Sequence, residues 1–186
     1  LDVLINNAGI WLRNATTRDV SADGNELTFQ VNYLSHFLLT HTLKPLLIKS
    51  APSRIINVAS RTQNEVNLDD PNQTRNFSGQ FAYGQSKLAQ VMFTIDLAQE
   101  LASANVTVNA VHPASQMDTD MIRDVGAVPR STVEEGAASV MNLVQSANPG
   151  TGQFYDQLYL SSALDQAYDE AARAKLRAIS VKLTGM

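Results

Sequence analysis

Three short runs of β-branched and apolar residues, each halted by turn-forming or polar residues, constrain the fold of this chain most. Leu1-Asp2-Val3-Leu4-Ile5 runs into Asn6-Asn7-Ala8-Gly9, Arg54-Ile55-Ile56-Asn57-Val58-Ala59 stops at Ser60, and Val106-Thr107-Val108-Asn109-Ala110-Val111 stops at His112-Pro113. None of the three alternates strictly between apolar and polar positions, which suits strands buried on both faces of a parallel sheet. Between them, Asn25 to Lys49 and Tyr83 to Ala104 carry helical patterns, the second with no Pro and no Gly after Gly84. Strand–helix alternation of this kind predicts βαβ units and a doubly wound α/β sheet in a single domain spanning residues 1–186. Ligands of such sheets bind beyond the C-terminal ends of the strands, where Asn6–Gly9, Ser60 and His112–Pro113 all fall.

Charge and composition narrow the chemistry. The net charge of −4 argues against a nucleic-acid partner, which favours a basic face. The absence of cysteine removes disulfides, thiolate metal sites and thiol nucleophiles, and His36, His41 and His112 form no recognisable ligand cluster. The most apolar region, from Val31 to Ile48, is interrupted by Asn32, His36, His41, Lys44 and Pro45, well short of a membrane span. With no sign of secretion, a cytoplasmic location is expected.

The helix from Tyr83 to Ala104 shows two apolar stripes. Leu88, Val91, Met92, Ile95 and Ala102 form one that suits the sheet, while Phe93, Leu97 and Leu101 form a second on the opposite side. The second stripe predicts a subunit interface, with burial under the chain's own C-terminal segment as the alternative. Further along, Ser131 and Glu134 read as a capping pair at a helix start, Gly150 to Tyr155 as a turn and strand, and Asp165 to Leu183 as a final helix. The polar stretch Arg61–Gln80 reads as a loop.

Tyr83-Gly84-Gln85-Ser86-Lys87 puts a phenol and an ammonium four residues apart at a helix start, on one face. A phenol is a poor acid–base catalyst near neutrality, and a nearby cation lowers its pKa toward a useful range. Ser60 offers a hydroxyl to a substrate oxygen at a strand end. Asn32 places an amide in an otherwise apolar helix, where it requires a partner. The turn Asn6-Asn7-Ala8-Gly9 lets a ligand approach the backbone closely. Taken singly, a satisfied strand-end hydroxyl and a backbone-bonded amide explain Ser60 and Asn32 equally well.

Together these residues resemble the short-chain dehydrogenase/reductase family over nearly the whole chain: Asn6-Asn7-Ala8-Gly9, Asn32 in Val-Asn-Tyr-Leu-Ser-His-Phe, Ile-Asn-Val-Ala-Ser60, Tyr83-Gly-Gln-Ser-Lys87, and His112-Pro113. The spacing between Ser60 and Tyr83, with Asn67-Leu68-Asp69-Asp70, looks most like the retinol-dehydrogenase-like and related bacterial reductases. The resemblance implies a Rossmann-type fold, NAD or NADP as cofactor, a small-molecule alcohol or carbonyl substrate, and a homodimer or homotetramer at full length. It implies Tyr83 as general acid/base, Lys87 lowering the tyrosine pKa and holding the nicotinamide ribose, Ser60 on the substrate oxygen, and Asn32 anchoring a water. It also implies Asn6, Asn7, Ala8 and Gly9 along the adenosine ribose, with Pro113 and Thr119 near nicotinamide and pyrophosphate.

Three departures qualify that picture. Pro113-Ala114 stands where the family usually has Pro-Gly, so a positive φ there would strain Ala114, and Ser115–Thr119 is one residue longer than usual. Nothing matches Thr-Gly-x-x-x-Gly-x-Gly, so the glycine-rich N-terminal βαβ portion is absent from these residues. The chain as given is therefore expected to expose one edge of its Leu1–Ile5 strand and neither to hold a dinucleotide tightly nor to turn over. Two other readings compete: a nucleotide-sugar epimerase, which shares Tyr-x-x-x-Lys but lacks the Asn-Asn-Ala-Gly turn, and a non-catalytic Rossmann-type binding module or inactive remnant. The apolar residues Met117, Met121, Ile122, Val125 and Val128 suggest an apolar substrate.

Overall fold

The computed structural model describes all 186 residues. Strands β1 (Val3–Asn6), β2 (Ser53–Val58), β3 (Val106–His112) and β4 (Gln153–Asp156) pair in parallel in that order, and β5 (Tyr159–Ser161) closes the far edge antiparallel to β4. The doubly wound α/β sheet expected from the sequence is present, with an antiparallel fifth strand that the sequence reading did not include. β1 lies at the other edge, with Leu1 and Ile5 exposed.

Side-chain alternation divides the strands between two cores. Leu4, Ile55, Val108 and Ala110 face the larger one, shared with Phe29, Tyr33, Phe37, Leu88 and Met92. Val3, Ile56 and Val111 face the smaller one, shared with Leu143 and Val140 of helix α5 (Val133–Gln145). Helices thus cover both faces, but unequally.

The first crossover is one helical path in three parts: α1 (Leu27–Phe29), a π-helical segment (Gln30–Leu34) and α2 (Ser35–Lys49). The buried Glu26 carboxylate caps it, accepting from the backbone N–H of Thr28 at 2.8 Å and of Phe29 at 2.7 Å. The second crossover is α3 (Gly79–Glu100), capped by the Ser78 hydroxyl. It begins a full turn earlier than the sequence suggested, so Tyr83 and Lys87 lie in its second and third turns rather than at its start. The rest of Arg61–Gln80 is loop, as expected.

The second apolar stripe of α3 finds its cover within the chain. Phe93 packs against Phe37 and Tyr33, while Leu97 and Leu101 join the same core as Ala167, Ala172 and Leu176. The last two belong to α6 (Glu170–Thr184), which follows a 3-10 turn at Asp165–Tyr168. Arg173 and Arg177 of α6 both reach Asp96 of α3, and Tyr33 Oη shares a 2.7 Å hydrogen bond with Ser180 Oγ. This stripe therefore gives no reason to invoke a second subunit, and Ala102 lies exposed beyond the helix end.

After β3, the short helix α4 (Asp120–Asp124) leads to α5. The box that caps α5 uses Thr132 and Glu135, one residue beyond the expected Ser131 and Glu134. Ser131 is engaged elsewhere, its hydroxyl donating to the Ser115 carbonyl at 2.7 Å. No helix is long and apolar enough to cross a membrane.

Gly79 fixes how α3 meets the loop after β1. A Cβ there would lie 1.9 Å from the Leu12 carbonyl oxygen, a backbone atom that cannot swing aside. Gly79→Ala should destabilise the chain by about 1–3 kcal/mol, read as a lower denaturant midpoint. An unchanged midpoint would show that this contact does not set the helix position.

Candidate active site

The strand ends meet in one cleft of about 1070 Å³, lined among others by Asn7, Ala8, Gly9, Ser60, Tyr83, Lys87, Pro113 and Thr119. Eight of the ten residues implied by the sequence therefore converge. The other two, Asn6 and Asn32, lie behind the wall.

Asn6 ends β1 with its side chain turned into the core, where Nδ2 donates to Thr40 Oγ1 at 2.9 Å and Asn57 Oδ1 at 2.8 Å. The strand register sets Asn6 opposite Asn57, so the pair ties β1 to β2 and α2 rather than lining a ribose site. Asn32 sits in the π-helical segment, fully buried. Its Oδ1 accepts from the Ile10 N–H at 2.8 Å, while Nδ2 donates to the Ile10 carbonyl at 3.0 Å and to Ser86 Oγ at 3.0 Å. One amide thus fixes the turn after Gly9 and the Tyr83–Lys87 segment together.

Ser60 follows β2, its hydroxyl accepting from the Thr62 N–H at 3.0 Å. Tyr83 lies beside it, and burial pushes the phenol pKa up while Ser60 opposes the shift. Burial prevails over the lowering by Lys87 that the resemblance implied. The Lys87 ammonium donates to the Val58 carbonyl at 2.8 Å and to Gln90 Oε1 at 2.9 Å, and stands 5.7 Å from the phenol ring centroid. Burial brings the lysine's own pKa down to about 7. Desolvation therefore outweighs charge–phenol attraction at this wall.

Ala114 does not take the strained conformation that the missing glycine suggested. The left-handed residue of the longer loop is Gln116, with φ 50°. Thr119 reaches the cleft and donates through its hydroxyl to the Met117 carbonyl at 3.3 Å. Met117, Met121 and Ile122 line the cleft, whereas Val125 does not and Val128 is 78% exposed.

Several cleft residues escaped the sequence reading. Trp11 packs against Tyr83 with ring centroids 5.0 Å apart and planes tilted by 32°, and Arg13 lies 5.5 Å from the Trp11 ring centroid. As the chain's only tryptophan, two residues past the Asn6–Gly9 turn, it carried a readable signal. Arg61 bonds Asp156 Oδ2 at 3.1 Å and Ser115 Oγ at 2.9 Å, a pairing between distant segments with no local signature. Gln90, behind the cleft wall rather than in it, stood visible as a polar residue one turn beyond Lys87.

With this geometry in place, similarity decides the family: residues 1–129 match the short chain dehydrogenase family. The chain belongs to it. The human proteins retinol dehydrogenase 14 and retinol dehydrogenase 13 are 36% and 38% identical over the whole chain, which covers 59% and 61% of their lengths. The chain thus spans about 60% of these curated short-chain dehydrogenase relatives. Among solved structures, an uncharacterized protein from Mycobacterium paratuberculosis shares 29% identity at a TM-score of 0.77, covering all of this chain and 67% of that one. The Pseudomonas aeruginosa protein RhlG, solved as an NADP active-site complex, shares 28% identity at a TM-score of 0.64, over 84% of this chain and 64% of that one.

Two buried histidines bear on stability. Burial, chiefly, brings the pKa of His36 and of His112 down to about 4, with the Lys87 charge assisting at His36 and Asp156 opposing at His112. Between pH 6.5 and 4 the unfolded chain binds more protons at these sites than the folded one, so stability falls as pH drops through that window. Denaturant unfolding at pH 4.5 should show a loss on the order of 2 kcal/mol per histidine relative to pH 7. His36→Gln should recover its share, and equal stability at both pH values would contradict the assignment.

Proposed function

We propose that this chain carries the proton-handling half of an NAD(P)-dependent oxidoreductase that interconverts an alcohol and a carbonyl by hydride transfer. The convergence of Ser60, Tyr83 and Lys87 at one cleft wall carries the reading. A phenol held protonated by burial is suited to donating to a carbonyl oxygen as that oxygen gains charge. Ser60 is placed to hydrogen-bond the same oxygen, and Lys87 sets a positive charge behind the phenol that favours the phenolate left after donation. In the reverse direction Tyr83 must first lose its proton, so alcohol oxidation should strengthen toward alkaline pH.

The residues present suit a nicotinamide dinucleotide. A Cβ at Gly9 would lie 3.4 Å from Asn32 Oδ1 and 3.6 Å from Lys87 Nζ, so the bare glycine keeps open a gap beside the ammonium. Lys87 uses two of its three donors within the chain, leaving one for a ribose hydroxyl. Asn7, Ala8, Gly9, Lys87, Pro113 and Thr119 would hold the group, which when bound supplies or takes the hydride. Its diphosphate would call on the glycine-rich unit that these 186 residues lack. Trp11, Met117, Met121 and Ile122 favour an apolar substrate, as does the similarity to retinol dehydrogenases. A dimer or tetramer of the longer protein belongs to the same proposal.

The test joins the chain to a glycine-rich strand–helix unit and compares Tyr83→Phe with the parent for turnover and for dinucleotide binding by fluorescence. Turnover should fall roughly 10²–10⁴-fold with binding retained. Undiminished turnover would remove Tyr83 from the acid/base role and with it this reading.

A further inference from the structure

Lys87 is 4% exposed, and no carboxylate pairs with its ammonium. A charged group in that position depends on the acceptors around it. Only two reach it, the Val58 carbonyl oxygen and Gln90 Oε1. Gln90, 1% exposed, lies on α3 one turn beyond the lysine.

The direction of each bond in this cluster is fixed by elimination. An ammonium has donors only, so Gln90 must show it the amide oxygen. That turns Gln90 Nε2 toward His36 Nδ1, 3.0 Å away on α2. Nδ1 must then accept, and His36 is neutral with its proton on Nε2, a buried nitrogen with no partner in the chain. A protonated His36 would donate from Nδ1, and the amide would have to turn its NH₂ toward the ammonium. The titratable groups facing Lys87 are thus Tyr83 on its own helix, His36 on α2 and His112 at the end of β3, and none is a carboxylate.

We propose that Gln90, oriented by His36, is a positioning residue for Lys87, keeping the buried ammonium charged and fixed on the cleft wall behind Tyr83. Its catalytic consequence rests on the dehydrogenase reading, but its effect on the lysine does not. Nothing in Gln90 touches the cleft, so its influence runs through the lysine alone.

The experiment is an NMR pH titration of the 186-residue chain labelled with ¹³C,¹⁵N-lysine, the Lys87 signals being identified by their loss in Lys87→Met. Gln90→Met keeps the side-chain length and removes the acceptor, and should lower the Lys87 pKa by about one unit, a tenfold loss of proton affinity. Gln90→Glu keeps an acceptor of the same shape and adds charge, and should raise it. Loosening of the fold would instead move Gln90→Met upward, toward the value of a solvated lysine, and that result overturns the proposal. So does an unmoved titration in both variants. If Gln90→Met does not fold, His36→Leu takes its place, since an amide freed from His36 should hold Lys87 less well and lower its pKa, and no change there counts against the proposal. Because no turnover is involved, a shifted Lys87 in a protein without dehydrogenase activity would sustain the positioning role while removing the functional reading beneath it.

Discussion

Asn32 binds Ile10 as a neighbouring strand would, one amide accepting from its N–H and donating to its carbonyl. It can do so because the helical path widens into a π turn between Gln30 and Leu34. An extra residue in the turn changes the angle at which side chains leave the helix, at the expense of regular hydrogen bonding. The third bond of the amide, to Ser86, links this arrangement to α3 between Tyr83 and Lys87. The turn that opens the cleft and the helix that supplies its phenol are thereby held to one buried group. A fully buried amide deprived of such partners costs about 1–3 kcal/mol, so the arrangement resists being half-made.

Behind that group lies a continuous polar seam through an otherwise apolar core. Thr40, Asn6, Asn57 and Thr94 are joined in sequence, and Thr94 Oγ1 also donates to the Gln90 carbonyl. Gln90 in turn meets Lys87 and His36. Parallel strands buried on both faces normally read as apolar runs. Here β1 and β2 each carry an asparagine at the same register, and Asn6 donates to Asn57 across the ladder while its own Oδ1 finds no partner in the chain. The seam lets a charge sit at the sheet's C-terminal edge without a carboxylate to neutralise it, which leaves that charge available to the cleft.

Legibility in the sequence followed the range of the interaction involved. Strands β1, β2 and β3 were readable within a residue or two, because each run of β-branched residues ends at its own turn former. The capping of α5 was readable in kind and misplaced by one residue, since Ser131/Glu134 and Thr132/Glu135 have identical spacing. What separates them is a bond from Ser131 to Ser115, which no local pattern reveals. The start of α3 was hidden in a polar stretch where Ser78 looks like any loop serine. The cleft was legible as a set of residue types, but not in its electrostatics. Tyr83 and Lys87 at helical spacing suggested that the cation acts on the phenol, whereas burial dominates both groups and Gln90 takes the ammonium. Asn6 was assigned to the cleft by its place in the turn, while strand alternation directs it inward.

The two stripes of α3 show how a sound local inference depends on material remote in sequence. A helix on one face of a sheet needs a single apolar stripe, and a second stripe calls for a second partner. That partner is α6, some 80 residues on, together with the aromatic group Phe29, Tyr33, Phe37 and Phe93. Asp96 anchors α6 from the same side of α3 through Arg173 and Arg177. α3 is thus clamped between the sheet and α6 along much of its length. The opposite sheet face, by contrast, holds a core of only three fully buried residues under α5. Rigidity is concentrated where Tyr83 and Lys87 originate, while the residues lining the other side of the cleft, among them Val133, Val140 and Met141 of α5, rest on the thinner layer. The proposed dehydrogenase role is suited by that asymmetry: Tyr83 and Lys87 are fixed by the thick core, and the facing wall of the cleft is the one with less packing behind it.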